Sequence, residues 1–315
     1  MSGGWNTIES DAGVFTYLLE SLGVRNVQFE ELVDLEPTSL AQLSPLGVIF
    51  LFKYLGSTPD SQRDGALDPD AADSNKVWFA AQTIQNACGT QALLSVLMNK
   101  TGATDGVELG QPLSEFRDFT REFPAEFRGE ALSNSDLIRD VHNSFARSSP
   151  FQSDESRVAT DDDDVFHFIA FTSVDGKLYE LDGLQPAPIS HGACAKDEFS
   201  EKVIPVLQRR IAKYPPGEVR FNLLAMCQDL RIKAREFGDQ EMLMREEEKR
   251  REWQWENALR RHNFVGFVGE LLKSVVKQKI ADGSYDAWVG DAKDRTRKKL
   301  EEGRKKGAKV DEMDM

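Results

Sequence analysis

Cysteine is scarce in this chain: Cys88, Cys194 and Cys227 are the only three in 315 residues. Thiols so few and so far apart exclude a disulfide framework and supply no CxxC pair for zinc, which suits a reduced, intracellular protein with no metal or other cofactor. Long hydrophobic runs are missing as well. The longest, from Leu46 to Phe52, stops at Lys53 after seven residues, whereas a bilayer-spanning helix needs about 20, so no membrane association is expected. Basic residues are outnumbered 39 to 53, giving a net charge of −14. An acidic body repels a polyanion, and this excludes nucleic acid as the main partner. The opening MSGGWNTIES has no basic stretch leading into an apolar one, so no secretory address is expected.

What the sequence does hold is core material, 40% hydrophobic and 9% aromatic residues, enough for one large domain with an appendage. The charge is uneven. Residues 291–309 carry nine Lys and Arg against four acids, which leaves residues 1–290 at −16. Tail and body are therefore different objects.

Ser10 and Asp11 precede Val14, Tyr17, Leu18 and Leu22 at helical spacing, with Gly23 behind, predicting a capped helix. A strand follows at 27–30, and the β-branched and aromatic stretch 46–54 predicts a buried central strand. Residues 56–73 are a polar loop rich in Gly, Pro and Asp, and 87–98 an apolar helix. Helical patterns continue over 113–123 and 135–145. The stretch 144–164 has no apolar period and is long for a connection inside a compact domain. Residues 165–173 and 177–182, joined through Asp175-Gly176, predict a hairpin. Helix is expected over 199–213 and again from about Phe221, the body ending near Arg235. Residues 240–262 are densely charged, like a projecting solvated helix, while Phe264, Phe267, Val268, Leu271, Leu272, Val275 and Val276 form an apolar stripe suited to a protein partner.

Cys88 stands where an apolar helix begins, with Asn86 as a candidate cap. Unpaired N–H groups and a partial positive charge there favour thiolate over thiol. His167 on one hairpin strand and Asp182 at the end of the other can be neighbours, which is what an imidazole needs to be held in one tautomer. Gln82, six residues before Cys88, can donate with the Cys88 N–H to the oxygen of a tetrahedral intermediate.

Three blocks of residues, Trp5 to Phe15, Gln82 to Ala92 and His167 to Leu184, resemble the ubiquitin carboxyl-terminal hydrolase family of cysteine peptidases over roughly residues 4–235. The resemblance implies a papain-like α/β fold, a central antiparallel sheet flanked by helices, with a helical C-terminal extension over 236–315. It implies Cys88 as nucleophile, His167 as general base and acid, Asp182 as its orienter and Gln82 as oxyanion donor, and it makes 144–164 an active-site crossover loop. Ubiquitin is the implied substrate, its Arg-bearing C-terminal tail suited to an acidic body with four consecutive Asp at 161–164. A non-catalytic ubiquitin-binding adaptor and a zinc protein built on the three cysteines are the alternatives.

Residues 253–300, above all Asn257 to Asn263 and Phe267 to Lys273, are similar to the tail of the long, proteasome-associated branch of that family. This implies docking on a proteasomal ubiquitin receptor, a chromatin-remodelling complex adaptor as a further partner, and residence in cytoplasm and nucleus. The basic stretch 293–309 is compatible with a nuclear address.

Overall fold

The computed structural model describes residues 4–54, 63–100, 105–145, 165–262 and 264–311. The predicted loop at 56–73 is described from residue 63 on. The crossover loop, apart from Ser144 and Phe145, and the four Asp at 161–164 lie outside the described residues.

Seven antiparallel strands make one sheet: β1 (Val27–Glu31), β2 (Gly47–Lys53), β3 (Ala66–Leu67), β4 (Phe166–Val174), β5 (Lys177–Leu181), β6 (Ile189–Ala193) and β7 (Asn222–Gln228). Their spatial order is β1-β7-β2-β4-β5-β6-β3. The apolar run at 46–54 thus becomes β2, between β7 and β4, and both its faces are covered, which is why it shows no alternation. The β4–β5 hairpin turns at Asp175 and Gly176, both at positive φ, the backbone that an Asp-Gly turn accommodates.

The sheet separates two apolar layers. On one side α1 (Ala12–Ser21) and α4 (Cys88–Leu97) cover it, with Phe15, Leu18, Leu93, Leu94 and Leu97 sealed from solvent. On the other, α8 (Phe199–Ile211) and α2 (Pro37–Gln42) close over Val48, Phe50 and Phe171. Asp11 caps α1 by accepting from the Val14 N–H at 2.9 Å. All ten residues of α4 are buried, the sequence pattern of an apolar helix carried to its limit. The short helices α3 (Pro69–Asp73), α5 (Gly110–Thr120), α6 (Ala125–Ser133) and α7 (Asp136–Asn143) bridge to the hairpin, and Ser135 caps α7 as expected.

Three local expectations are corrected. Within the expected loop at 56–73, residues 66–67 form β3 and 69–73 form α3, which Asp68 caps ahead of Pro69. Helix predicted from Phe221 is instead strand β7 followed by α9 (Leu230–Phe237). Asn222-Leu-Leu-Ala-Met-Cys-Gln228 is buried on both sides between β1 and β2, so its good helix formers are overridden by pairing and packing. The helix α10 (Gln240–Arg261) does not project into solvent. It packs on α1 and α9, and the compact unit that holds the sheet ends at Arg261. Its charge is what packs: Arg250 is buried and reaches Glu20, Gln28 and Asp229, while Trp253 lies where a Cβ on Gly13 would come within 2.8 Å of it. Charged residues meet charged partners there, which a hydrophobic pattern does not register.

The second unit, from His262, holds α11 (Val265–Ala281) and α12 (Tyr285–Asp311), joined at Gly283 in the left-handed region. Phe267, Val268, Leu271 and Leu272 are each more than half exposed along α11. Among the described residues no helix is long and apolar enough to cross a membrane.

Candidate active site

Cys88 is the first residue of α4, entered through a single 3-10 turn over Gln85–Ala87. That places its thiol at the positive end of a fully buried helix and at the floor of a cleft of about 580 Å³. Ile8, Leu51, Phe166 and Phe168 give the cleft apolar walls, while Glu9 and Asn222 supply polar ones. Gly89 lets the wall close: a Cβ there would stand 3.1 Å from Ile8 and 3.4 Å from Phe15.

The hairpin supplies the base. Ala170 of β4 lies opposite Leu181 of β5, which brings the start of one strand beside the residue that follows the other. Across this corner His167 Nε2 is 2.7 Å from Asp182 Oδ1. The Cys88 thiol acts on the same imidazole and favours its charged form; with Nε2 on the carboxylate, Nδ1 is the ring nitrogen left to face it. Burial works against the imidazolium, but hydrogen bonds to Asp182 and Cys88 and the charge of both overcome it, so the His167 pKa is raised to about 9. Burial likewise opposes the Asp182 carboxylate, and the bond to His167 outweighs it, holding the carboxyl below its ordinary value. Leu184 N–H steadies the same carboxylate oxygen at 3.0 Å.

Gln82 comes to the Asp182 end of the site through its backbone, whose N–H donates to the Gly183 carbonyl at 2.8 Å. Gly183 leaves the room this approach uses. A Cβ there would lie 2.1 Å from Gln91 Nε2 and 3.0 Å from Gln82 Cβ. The hairpin thus joins His167 to Asp182, Cys88 stands at the entry of α4, and the segment that leads to it brings the Gln82 backbone to Gly183, next to Asp182.

One expected role fails. Asn86 does not cap α4 with its side chain; it donates to the Trp5 carbonyl at 2.9 Å instead and ties the N-terminal segment beside Cys88. The 3-10 turn preceding the helix takes the cap position. Other contributors had weak sequence signals. Gln91, buried one turn past Cys88, donates to the Ala80 carbonyl at 2.7 Å, and a lone amide in an apolar helix was its only mark. His142 has Nδ1 2.7 Å from Thr90 Oγ1 and Nε2 2.5 Å from the Asn6 carbonyl, locking α4 to the N-terminal segment, and burial lowers its pKa. Phe52 and Tyr54 meet the His167 ring edge to face, each 5.7 Å from it. Arg210 stacks over Phe52 at 4.8 Å and adds to the field that keeps Asp182 ionised. The remaining cysteines stand apart: Cys194 follows β6 and Cys227 lies in β7, both unpaired, and burial pushes both thiols up. Among the described residues no three His, Cys, Asp or Glu side chains gather as a metal site.

A thiol on a helix N-terminus, an imidazole facing it and a carboxylate behind the imidazole are the arrangement of a cysteine peptidase. The family model "Ubiquitin carboxyl-terminal hydrolase, family 1" matches residues 5–212, and "Ubiquitin carboxyl-terminal hydrolases" matches 240–280. The chain belongs to the ubiquitin carboxyl-terminal hydrolase family. Ubiquitin carboxyl-terminal hydrolase 2 of Schizosaccharomyces pombe is 50% identical over 296 residues, covering 92% of this chain and 96% of that one. Ubiquitin carboxyl-terminal hydrolase isozyme L5 of Dictyostelium discoideum is 37% identical, covering 87% and 92%. Among solved structures, Trichinella spiralis UCH37 bound to ubiquitin vinyl methyl ester superposes with a TM-score of 0.62 at 34% identity, over 82% of this chain and 99% of that one. The two family models meet this chain on both sides of α9, so α10, packed on the sheet unit, belongs to the second of them.

Proposed function

We propose that this hydrolase cleaves the thioester, ester, amide or isopeptide bond after the C-terminal glycine of ubiquitin, with Cys88 as nucleophile. The observation that supports the roles is the bond of His167 Nε2 to Asp182 Oδ1 at 2.7 Å, with Cys88 acting on the same imidazole from the start of α4. The Cys88 proton passes to His167, and the sulfur attacks the glycine carbonyl. The Cys88 N–H and the Gln82 side-chain amide take up the developing oxyanion. His167, held as imidazolium by Asp182, gives its proton to the leaving group as the carbon–heteroatom bond breaks. Water, deprotonated by His167, then hydrolyses the thioester and returns the thiol.

The substrate assignment draws on the cleft and on the relative solved with a ubiquitin-derived ester. A cleft with apolar walls and Glu9 among its lining residues suits an extended tail that carries arginines and ends in two glycines. Incubation of the full chain with ubiquitin bearing a C-terminal vinyl methyl ester tests this. One adduct, mapped to Cys88 and absent from Cys88→Ala, is expected; an adduct elsewhere would refute the assignment.

The extension serves recruitment. Within 253–300, Asn257 already donates to the Gly13 carbonyl at 3.0 Å, so the residues offered to a partner are the apolar ones of α11. That face fits a proteasomal ubiquitin receptor, with a chromatin-remodelling complex adaptor as a competing occupant of the same stripe. Activity in both cytoplasm and nucleus follows from those two destinations, and an antibody stain restricted to a membrane compartment would contradict it.

A further inference from the structure

The N-terminal segment beside Cys88 is a partition with space on both sides. Thr7, Ile8 and Glu9 line the Cys88 cleft on one face. On the other they line a second cavity of about 370 Å³, closed by Val14, Phe145 and Arg260. Ile8 packs against the core, and the rest of this wall, with a cavity on each face, depends for its position on what grips it. Asn6 N–H donates to Asn143 Oδ1 at 3.0 Å at one end, and Ser10 Oγ bonds Asn222 Oδ1 at 2.5 Å at the other.

Between them the grip comes from α10. Arg260 Nε lies 3.6 Å from Glu9 Oε2, and Nη2 lies 2.9 Å from Asp11 Oδ2, the cap of α1. Its Nη1 donates at 3.0 Å to Asn257 Oδ1, so the guanidinium is fixed in turn by a side chain that is itself buried and bonded to α1. The next residue repeats the pattern: Arg261 Nη1 donates to Tyr17 Oη at 2.6 Å, and the guanidinium stacks 4.5 Å over Tyr17 and 5.6 Å over Phe145. These are the last two residues of the sheet unit.

We propose that Arg260 is a positioning residue that sets the width of the substrate cleft, by anchoring the 7–10 wall to the end of α10 through Glu9 and Asp11. The inference rests on the proposed ubiquitin substrate, whose tail must thread between this wall and Phe166 and Phe168. Arg260 touches neither the thiol nor the imidazole, so its effect falls on binding. A planar fork that meets two carboxylates is required, which an ammonium matches less well.

Steady-state hydrolysis of a ubiquitin C-terminal fluorogenic amide by the full chain tests the proposal. Arg260→Ala is expected to raise KM about fivefold to tenfold while kcat changes by less than about twofold, and Arg260→Lys recovers part of the loss. Thermal midpoints are compared throughout, and should Arg260→Ala not fold, Arg260→Lys carries the test. The alkylation rate of Cys88 by iodoacetamide, a probe too small to need the wall, stays at the wild-type value. Unchanged KM in every folded variant, or a fall in kcat alone, overturns the positioning role. A wild-type chain that leaves the ubiquitin amide intact overturns the substrate reading as well, so the two failures are distinguishable.

Discussion

His167 Nε2 and Asp182 Oδ1 stand 2.7 Å apart with both side chains 4% exposed. Neither could hold its charge there alone, since burial opposes both the imidazolium and the carboxylate. Each charge is the condition of the other, and this one pair couples the protonation of the site to the stability of the hairpin.

The pair therefore sets a pH dependence with a definite sign. The His167 pKa is raised from 6.5 to about 9 in the fold. A raised value means that the folded protein holds the proton more tightly than the unfolded chain, so this stabilisation is complete below about pH 6.5 and is lost as pH climbs through about 9. Thermal midpoints are expected to fall across that window, and the slope should flatten in Asp182→Asn.

The same substitution displaces the activity profile. Without the carboxylate charge the imidazolium is less favoured, so the alkaline limb of kcat/KM moves to lower pH. Loss of the orienting bond lowers kcat/KM by about a hundredfold or more. An Asp182→Asn enzyme with an unshifted limb would separate His167 from the pH profile.

Cys88 should be the one thiol that reacts at neutral pH. Cys194 and Cys227 are buried, and their burial raises both thiols. Peptide mapping after brief iodoacetamide treatment is expected to find a single carbamidomethyl group on Cys88, with Cys227→Ala hydrolysing ubiquitin at the wild-type rate.

Gly183→Ala tests the close approach behind Asp182. Its methyl group would overlap Gln91 Nε2 and press on Gln82, so a loss of about 2 kcal/mol in denaturant unfolding is expected, with a fall in kcat/KM. A variant as stable and active as wild type would show that Gln91 and Gln82 are free to move aside.

Arg250 measures how firmly α10 is part of the sheet unit. Arg250→Ala removes the guanidinium that joins Glu20, Gln28 and Asp229, leaving Asp229 to Arg231 and Gln28 to the Leu230 N–H, at a cost of about 2 kcal/mol. Urea titration should record it, whereas Leu271→Asp on the exposed face of α11 should leave stability unchanged and, on the recruitment proposed above, abolish binding to a proteasomal ubiquitin receptor.

Much of the site was legible because chemistry and local pattern coincide there. The hairpin carried its own turn residues, the apolar helix announced the setting of Cys88, and the order Gln82, Cys88, His167, Asp182 did the rest. What stayed hidden depends on partners distant in sequence. β7 is a strand because β1 and β2 flank it, although Leu223, Leu224, Ala225 and Met226 favour a helix on their own. The packing of α10 rests on Arg250 and Asn257 finding Asp229 and Gly13, which no periodicity records. Asn86 had the chemistry of a cap and found the Trp5 carbonyl instead.

The proposed reaction runs through a ubiquitin thioester on Cys88. Acid quenching of the full chain within its first turnover of ubiquitin C-terminal fluorogenic amide, followed by intact mass measurement, would trap it. A species heavier by one ubiquitin acyl group is expected, released by hydroxylamine and absent from Cys88→Ala. Cleavage by Cys88→Ala at the wild-type rate would contradict it.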